Sequence, residues 1–134
     1  MAADPAPNST PQSARPRALA LSALLLGMGT VHFVAPKFFD DIIPPELPGE
    51  PRTYTYASGV VELAAGALLL PRRTRGLGGR LAFLLFLAVF PGNLQMARDY
   101  LASDRPAPVK AVALLRLPLQ IPLLTTARKV YRTN

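Results

Sequence analysis

The sequence predicts an all-α integral membrane protein, a four-helix bundle with both termini in the cytoplasm. Half of its 134 residues are hydrophobic and only 17% are charged, whereas soluble domains carry about 25% charged residues. Four largely uncharged runs are each about 17–19 residues long, close to the roughly 20 residues that a helix needs to cross a bilayer. A soluble bundle of such helices would lack the polar faces that water requires, so it is disfavoured.

The four predicted spans follow one another along the chain. They cover residues 18–35, 54–70, 81–97 and 109–127. The first follows Arg15 and Arg17 but ends without a small-residue cleavage pattern, so we expect a span and not a cleaved signal peptide. The second and the fourth each carry one charged residue near mid-depth. The third is apolar around its whole circumference from residue 81 to residue 90, which suits lipid on all sides.

Two segments lie outside these spans and have distinct compositions. Residues 1–14 are rich in proline, alanine and small polar residues, which predicts a disordered cytoplasmic tail before a four-span membrane domain at 15–134. The 36–53 loop mixes apolar side chains with Asp40, Asp41 and several prolines. Such a loop is predicted to lie along the membrane interface or to cover the mouth of the bundle, and a simply packed external loop fits it equally.

The net charge of +7 is unevenly distributed along the chain. Nine basic residues fall on one predicted side of the membrane: Arg15, Arg17, Arg72, Arg73, Arg75, Arg80, Arg128, Lys129 and Arg132. Because cytoplasmic segments are enriched in lysine and arginine, this side is predicted to be the cytoplasm. The charge then sets orientation and contacts the lipid head groups of the bilayer, and no nucleic-acid partner is expected.

The chain has no cysteine and a single histidine, His32. Disulfides, cysteine-ligated zinc and iron–sulfur clusters are therefore excluded. One histidine also argues against a metal site built only from protein ligands. We expect no metal and no covalently attached cofactor.

Two ionisable residues lie deep within predicted spans, Glu62 in the second and Arg116 in the fourth. A charged side chain at mid-bilayer costs roughly 2.5–3.5 kcal/mol, so it normally faces the bundle interior and finds a partner. Both spans run inward, and at 1.5 Å per residue both side chains lie about 10–12 Å below the outer ends of their spans. The shared depth predicts a Glu62–Arg116 pair, which either serves a binding site or only fixes helix register.

Two further polar residues, His32 and Asn93, fall in the same outer half of the bundle, and Gln120 lies one turn below Arg116. With Glu62 and Arg116 they are predicted to form a ligand-binding site to which all four spans contribute. A plainer interpretation stays open, in which His32 bonds a backbone carbonyl and the two carboxamides form ordinary interhelical hydrogen bonds. No catalytic residue is identified.

Small residues and prolines surround this predicted site. Gly59 and Gly66 share a helix face with Glu62, which allows a neighbouring helix to come close. Pro91 precedes Asn93, and two more prolines interrupt the fourth span. Kinks at these prolines are predicted to widen a cavity, because the backbone groups that they free need protein, water or ligand as partners.

Five segments together resemble the small DoxX-like membrane proteins of bacteria. They are GTVHFVAPKFF (29–39), IPPELP (43–48), SGVVELAAG (58–66), FPGNLQMA (90–97) and RLPLQ (116–120). The resemblance implies a four-helix bundle in a bacterial plasma membrane. It also implies service to a redox complex, since relatives include a thiosulfate:quinone oxidoreductase subunit and a partner of superoxide dismutase and a sulfurtransferase. Without cysteine, a redox role here requires a bound quinone or a partner's cofactor.

Three functions compete on this basis. The first is an accessory or binding subunit that holds a quinone or lipid-like ligand in an outer-leaflet polar pocket, with redox-complex proteins or a second copy of the chain as partners. The second is a structural subunit in which the Glu62–Arg116 pair only fixes register. The third is a small-solute or proton transporter, which would need an oligomer because four spans are few. An intramembrane isomerase using Glu62 and His32 is a minor variant, and we expect the chain not to be an enzyme by itself.

Overall fold

A computed structural model describes the chain from residue 10 to residue 133, with side chains from residue 15 onward. Over this range the chain is helical and contains no strand, which confirms the predicted all-α class. In chain order the helices are α1 (Thr10–Val34), α2 (Pro36–Asp40), α3 (Pro51–Leu69), α4 (Arg75–Ala88), α5 (Phe90–Leu101) and α6 (Ala107–Thr133).

Three stretches are long and apolar enough to cross a membrane: Arg15–Val34, Arg75–Leu101 and Ala107–Thr133. Their outward faces carry large apolar side chains, such as Leu84 at 60% and Ile121 at 64% exposure. A surface of this kind belongs against lipid, so the chain is a membrane protein. The 19-residue α3, which has polar first turns and carries Glu62, is not among these three stretches. It packs against both α1 and α4.

The predicted spans overlap α1, α3, the α4–α5 pair and α6 in that order. The structure differs at the start, where α1 begins at Thr10 and makes residues 10–14 of the predicted tail helical. Pro11 is compatible with this start, because the N–H that proline lacks has no partner in the first turn of a helix. Residues 1–9 of the predicted tail lie outside the described residues.

The third predicted span is broken at Val89 into α4 and α5. Val89 still donates its N–H to the Leu85 carbonyl at 2.9 Å, but Pro91, in the first turn of α5, has no N–H with which to continue the ladder. The ladder resumes where the Asn93 N–H donates to the Val89 carbonyl at 3.1 Å. The helix is thus interrupted beside the proline at which a kink was predicted, whereas α6 continues through its two prolines.

Glycines bring neighbouring helices into backbone contact. A Cβ at Gly29 of α1 would lie 3.1 Å from the Gly59 carbonyl oxygen of α3, and a Cβ at Gly79 of α4 would lie 2.9 Å from the Tyr131 nitrogen of α6. Larger side chains at these positions would hold the helices apart. The close approach expected around Glu62 is therefore present between α1 and α3.

Buried apolar side chains form two separate clusters. The turn-side cluster, next to the α3–α4 turn, comprises Ala18, Leu21, Leu25, Ala65, Leu69, Ala82, Leu85, Phe86, Ala127 and Val130. The loop-side cluster, next to the loop after α2, comprises Phe39, Ile42, Met96, Tyr100 and Ala113.

One residue of the predicted cytoplasmic basic set has a structural role. Arg75 is buried at the start of α4, where its Nε donates to the Leu69 carbonyl at 3.1 Å and its Nη2 donates to the Leu70 carbonyl at 2.9 Å. The last carbonyls of a helix have no partner within that helix. Arg75 therefore caps the end of α3 and fixes the turn into α4.

Candidate functional site

A cavity of about 380 Å³ lies among α1, α3, the α4–α5 break and α6. Four of the five residues predicted from the sequence line it, namely His32, Glu62, Asn93 and Arg116. Gln120 does not line the cavity. Apolar side chains form much of the remaining wall, among them Met28, Phe39, Ile42, Ile43, Leu47 and Val89.

Glu62 of α3 pairs with His32 of α1, and the Glu62 Oε2 lies 3.0 Å from the imidazole Nδ1. The helices come close here because Gly59, one turn before Glu62, has no side chain. A Cβ at Gly59 would lie only 2.9 Å from the His32 Cβ. This corrects the predicted Glu62–Arg116 ion pair. Depth along the bundle matched for that pair, but depth does not say which helices are neighbours, and the long α1–α3 contact gives Glu62 a nearer partner.

The hydrogen on His32 Nδ1 is taken by a backbone carbonyl of the same helix. Nδ1 lies 2.7 Å from the Met28 carbonyl oxygen, which can only accept, so Nδ1 carries a hydrogen and donates it there. Among the described residues, the Glu62 Oε2 has no hydrogen-bond donor although it is buried. Phe39 of α2 stacks on the imidazole with ring centroids 3.7 Å apart and holds the ring in this position. The site thus contains a buried carboxylate that lacks its usual partners.

Arg116 of α6 is half-buried and faces the same cavity. Its Nη1 lies 3.7 Å from the Met96 Sδ, which is a weak acceptor. The ion pairs among the described residues join His32 to Glu62 and Arg52 to Asp40, so neither includes Arg116. A guanidinium has five N–H donors in a fixed plane, and most of these remain available to an oxygen-bearing group in the cavity.

Gln120 supports the site from behind, across the helix break. Its Nε2 donates to the Phe86 carbonyl in the last turn of α4, one of the carbonyls that a helix end leaves without a partner. Its Oε1 accepts a hydrogen bond from the Asn93 Nδ2 at 3.0 Å. Gln120 therefore joins both sides of the break and fixes Asn93 at the cavity wall. Gln95 takes no part in this network and bonds Asp99 on the exposed side of α5.

α2 and the loop after it cover one side of the cavity, which is one of the arrangements predicted for the 36–53 loop. Phe39 and Ile42 are buried, and they line the cavity together with Ile43 and Leu47. These four apolar side chains of the segment thus face the cavity. The cover therefore forms part of the cavity wall.

Asp40 ties this cover to α3. Arg52 donates from Nε to the Asp40 Oδ2 at 2.8 Å, and Thr55 donates from Oγ1 to the Asp40 Oδ1 at 2.6 Å. Burial acts to raise the pKa of the Asp40 carboxyl, but the hydrogen bonds from Thr55 and Arg52 outweigh burial and hold that pKa below its ordinary value. Sequence reasoning missed this latch, although opposite charges near the two ends of the loop were a signal for it.

These residues combine a polar group of four side chains with an apolar surround. Among the described residues, His, Cys, Asp and Glu do not gather in a group of three that could hold a metal ion. The cavity volume falls within the range of about 300–1,000 Å³ that is usual for small-molecule sites. The arrangement can hold a molecule with an oxygen-bearing polar head and an apolar body.

The chain belongs to the family described as domain of unknown function DUF8561, whose pattern matches residues 21–131. No curated protein and no solved structure matches it. The matched segment runs from within α1 almost to the end of α6 and includes every residue of the site. The resemblance to DoxX-like proteins stays a prediction.

Proposed function

We propose that this DUF8561 protein is a membrane accessory subunit that binds the polar head of a lipid-like molecule, with a quinone as the leading candidate, and that it serves a redox complex. The cavity is the observation that carries the proposal. Its wall presents a guanidinium, a carboxylate, an imidazole and a carboxamide beside apolar side chains. A quinone has the matching parts, namely an apolar ring and tail with oxygen atoms at the ring edge.

The side chains divide the work of binding. Arg116 donates hydrogen bonds to a ligand oxygen, and its planar fork suits a carbonyl group at the ring edge. Asn93, held by Gln120, gives a second polar contact. Phe39 and Ile42 cover the ring from the loop side. The residues assigned here bind and orient, so the protein supplies a site to partner proteins and not a reaction of its own.

We further propose that α3 crosses the membrane with the three apolar stretches, which gives four spans, cytoplasmic termini and a cavity in the outer half of a bacterial plasma membrane. The 19 residues of α3 extend about 28 Å at 1.5 Å per residue, and α3 packs between two of those stretches. The basic residues near the α3–α4 turn and both termini support this orientation.

The absence of cysteine makes this topology directly measurable. Glu46→Cys and Ala102→Cys should react with a membrane-impermeant maleimide in intact cells. Thr133→Cys should react only after the membrane is permeabilised. Equal labelling of Thr133→Cys in intact cells would refute the orientation, and protection of Ala102→Cys would refute the four-span count.

The binding proposal is tested by mass spectrometry of molecules that copurify with the detergent-extracted protein. Arg116→Ala removes the guanidinium in the cavity, and the exposed Arg128→Ala is its control, because it removes the same charge outside the cavity. We expect a stoichiometric quinone or other lipid-like molecule in wild type and in Arg128→Ala, and its loss in folded Arg116→Ala. Identical contents in all three proteins would contradict a site at Arg116.

A structural membrane subunit is the second candidate, and the His32–Glu62 contact favours it. A buried polar contact between α1 and α3 fixes their register whether or not a ligand is present. This function predicts an empty wild-type cavity in the same experiment. It also predicts that a complex with partner proteins dissociates when the register of α1 and α3 is changed, and that Arg116→Ala leaves this complex intact.

A further inference from the structure

We infer that the cavity selects the hydroxyl-bearing, reduced form of a quinone-type ring, a quinol, with Glu62 and Asn93 as the acceptors of its hydroxyl hydrogens. This inference rests on the proposed function and specifies the ligand of the same site. It depends on the direction of each hydrogen bond around the cavity.

One oxygen of the Glu62 carboxylate, Oε2, has no hydrogen-bond donor among the described residues. Nδ1 has room for one hydrogen, and the Met28 carbonyl at 2.7 Å takes it. The Oε2 at 3.0 Å from that nitrogen is left without a donor among the described residues. Glu62 is buried, with 8% of the residue exposed, and it lines the cavity. A buried carboxylate in this position calls for a ligand that donates.

The orientation of Asn93 follows from a chain of hydrogen bonds that starts at a backbone carbonyl. The Phe86 carbonyl can only accept, so Gln120 must turn its Nε2 towards it. The Gln120 Oε1 then faces Asn93, which donates a hydrogen bond to it from Nδ2. The Asn93 Oδ1 is the remaining atom, and it is an acceptor. Asn93 therefore offers the cavity a second acceptor beside Glu62.

These directions distinguish the two redox forms of one ring. A quinone carries only acceptors, so it can take hydrogen bonds from Arg116 but leaves Glu62 and the Asn93 Oδ1 without a donor. A quinol hydroxyl donates its hydrogen to one of these acceptors while its oxygen still accepts from Arg116. Because an unmet buried acceptor is costly, we expect the quinol to bind at least about tenfold more tightly than the quinone.

The test uses the full-length protein in lipid nanodiscs under anaerobic conditions. Three probes share one ring and one decyl tail: a benzoquinone, its quinol, and the quinol with both hydroxyls methylated. The quinol should bind best, with the quinone and the dimethyl ether both weaker by about tenfold or more. Equal or tighter binding of the quinone would overturn this inference and leave the proposed quinone site standing. Binding of none of the three would overturn both.

A variant separates hydrogen-bond direction from general affinity. Glu62→Gln keeps the size of the side chain but adds an N–H donor, so the quinol-to-quinone affinity ratio should fall towards one. Glu46→Gln makes the same change on an exposed loop residue and should keep the wild-type ratio. An unchanged ratio in folded Glu62→Gln would overturn the assignment of Glu62. If Glu62→Gln does not fold, the methylated probe on wild type still decides the question.

Discussion

A methyl group at Gly59 would collide with α1 at the point where α1 and α3 hold the site together. The Cβ of Gly59→Ala would lie 2.8 Å from the Phe33 Cε2 and 2.9 Å from the His32 Cβ, whereas carbon atoms in contact prefer about 3.5–4.0 Å. The exposed Phe33 ring can turn aside, but the His32 Cβ is fixed to the backbone, so the helices must separate. Overpacking of this kind costs about 1–3 kcal/mol.

Gly27→Ala is the matched control, because a Cβ at Gly27 of α1 meets nothing within 4 Å. Both substitutions gain about 1 kcal/mol in helix propensity, so the difference in free energy of unfolding between them isolates the collision at about 1–3 kcal/mol. The chain has no tryptophan, and circular dichroism during titration from mild detergent into dodecyl sulfate is a suitable assay. Equal stability of the two variants would refute the close approach of α1 and α3.

Three more predictions concern hydrogen bonds at the helix break, at the α3–α4 turn and in the cover of the cavity. Gln120→Leu leaves Asn93 and the Phe86 carbonyl without their partner and should lower the free energy of unfolding by about 1–3 kcal/mol. Gln95→Leu, on the exposed side of α5, should change the free energy of unfolding by less than about 0.5 kcal/mol. Similar losses for the two variants in the same titration would contradict the role of Gln120 at the helix break. Arg75→Met uncaps α3 and should raise amide hydrogen exchange in its last turn, while exchange at unchanged rates would show that the cap is dispensable. Asp40 has a lowered pKa, so its hydrogen bonds are complete above the ordinary carboxyl value near 3.8 and are lost only as the pH falls through the lower pKa of the folded state. Amide hydrogen exchange in the 41–50 loop, corrected for intrinsic rates, should therefore stay constant from about pH 5 to 8. It should rise in Asp40→Asn.

Long apolar runs were sufficient to predict the helices that lie against lipid. A run without charge has few ways to satisfy its backbone in a bilayer other than a helix, so α1, α4 and α6 follow from composition. The break at Val89 also follows, because Pro91 removes a donor from the ladder. The start of α1 was less predictable, since a segment rich in proline and small polar residues lacks the apolar periodicity that marks a helix.

Four of the five residues predicted for a site line the cavity, but the contacts among them did not follow from the sequence. Burial cost alone brings Glu62 and Arg116 into the bundle interior, and both line the cavity. The pairing of Glu62 with His32 was not predictable from depth, which fixes position along the bundle and leaves open the order of helices around it. The glycines were the sequence signal for which helices are neighbours. Gly29 and Gly59 lie three residues before His32 and Glu62, and the close approach of the two helices at these glycines brings that pair together.

The two buried clusters are unequal, with ten residues on the turn side and five on the loop side. The cavity borders the smaller one through Phe39 and Ile42, and local opening costs less where less apolar surface must be exposed. Under the proposed function, a bound molecule can therefore leave while the larger cluster stays folded. Its residence time is then expected to depend on the loop-side cluster and the Asp40 latch, so that the dissociation rate and the global stability change independently.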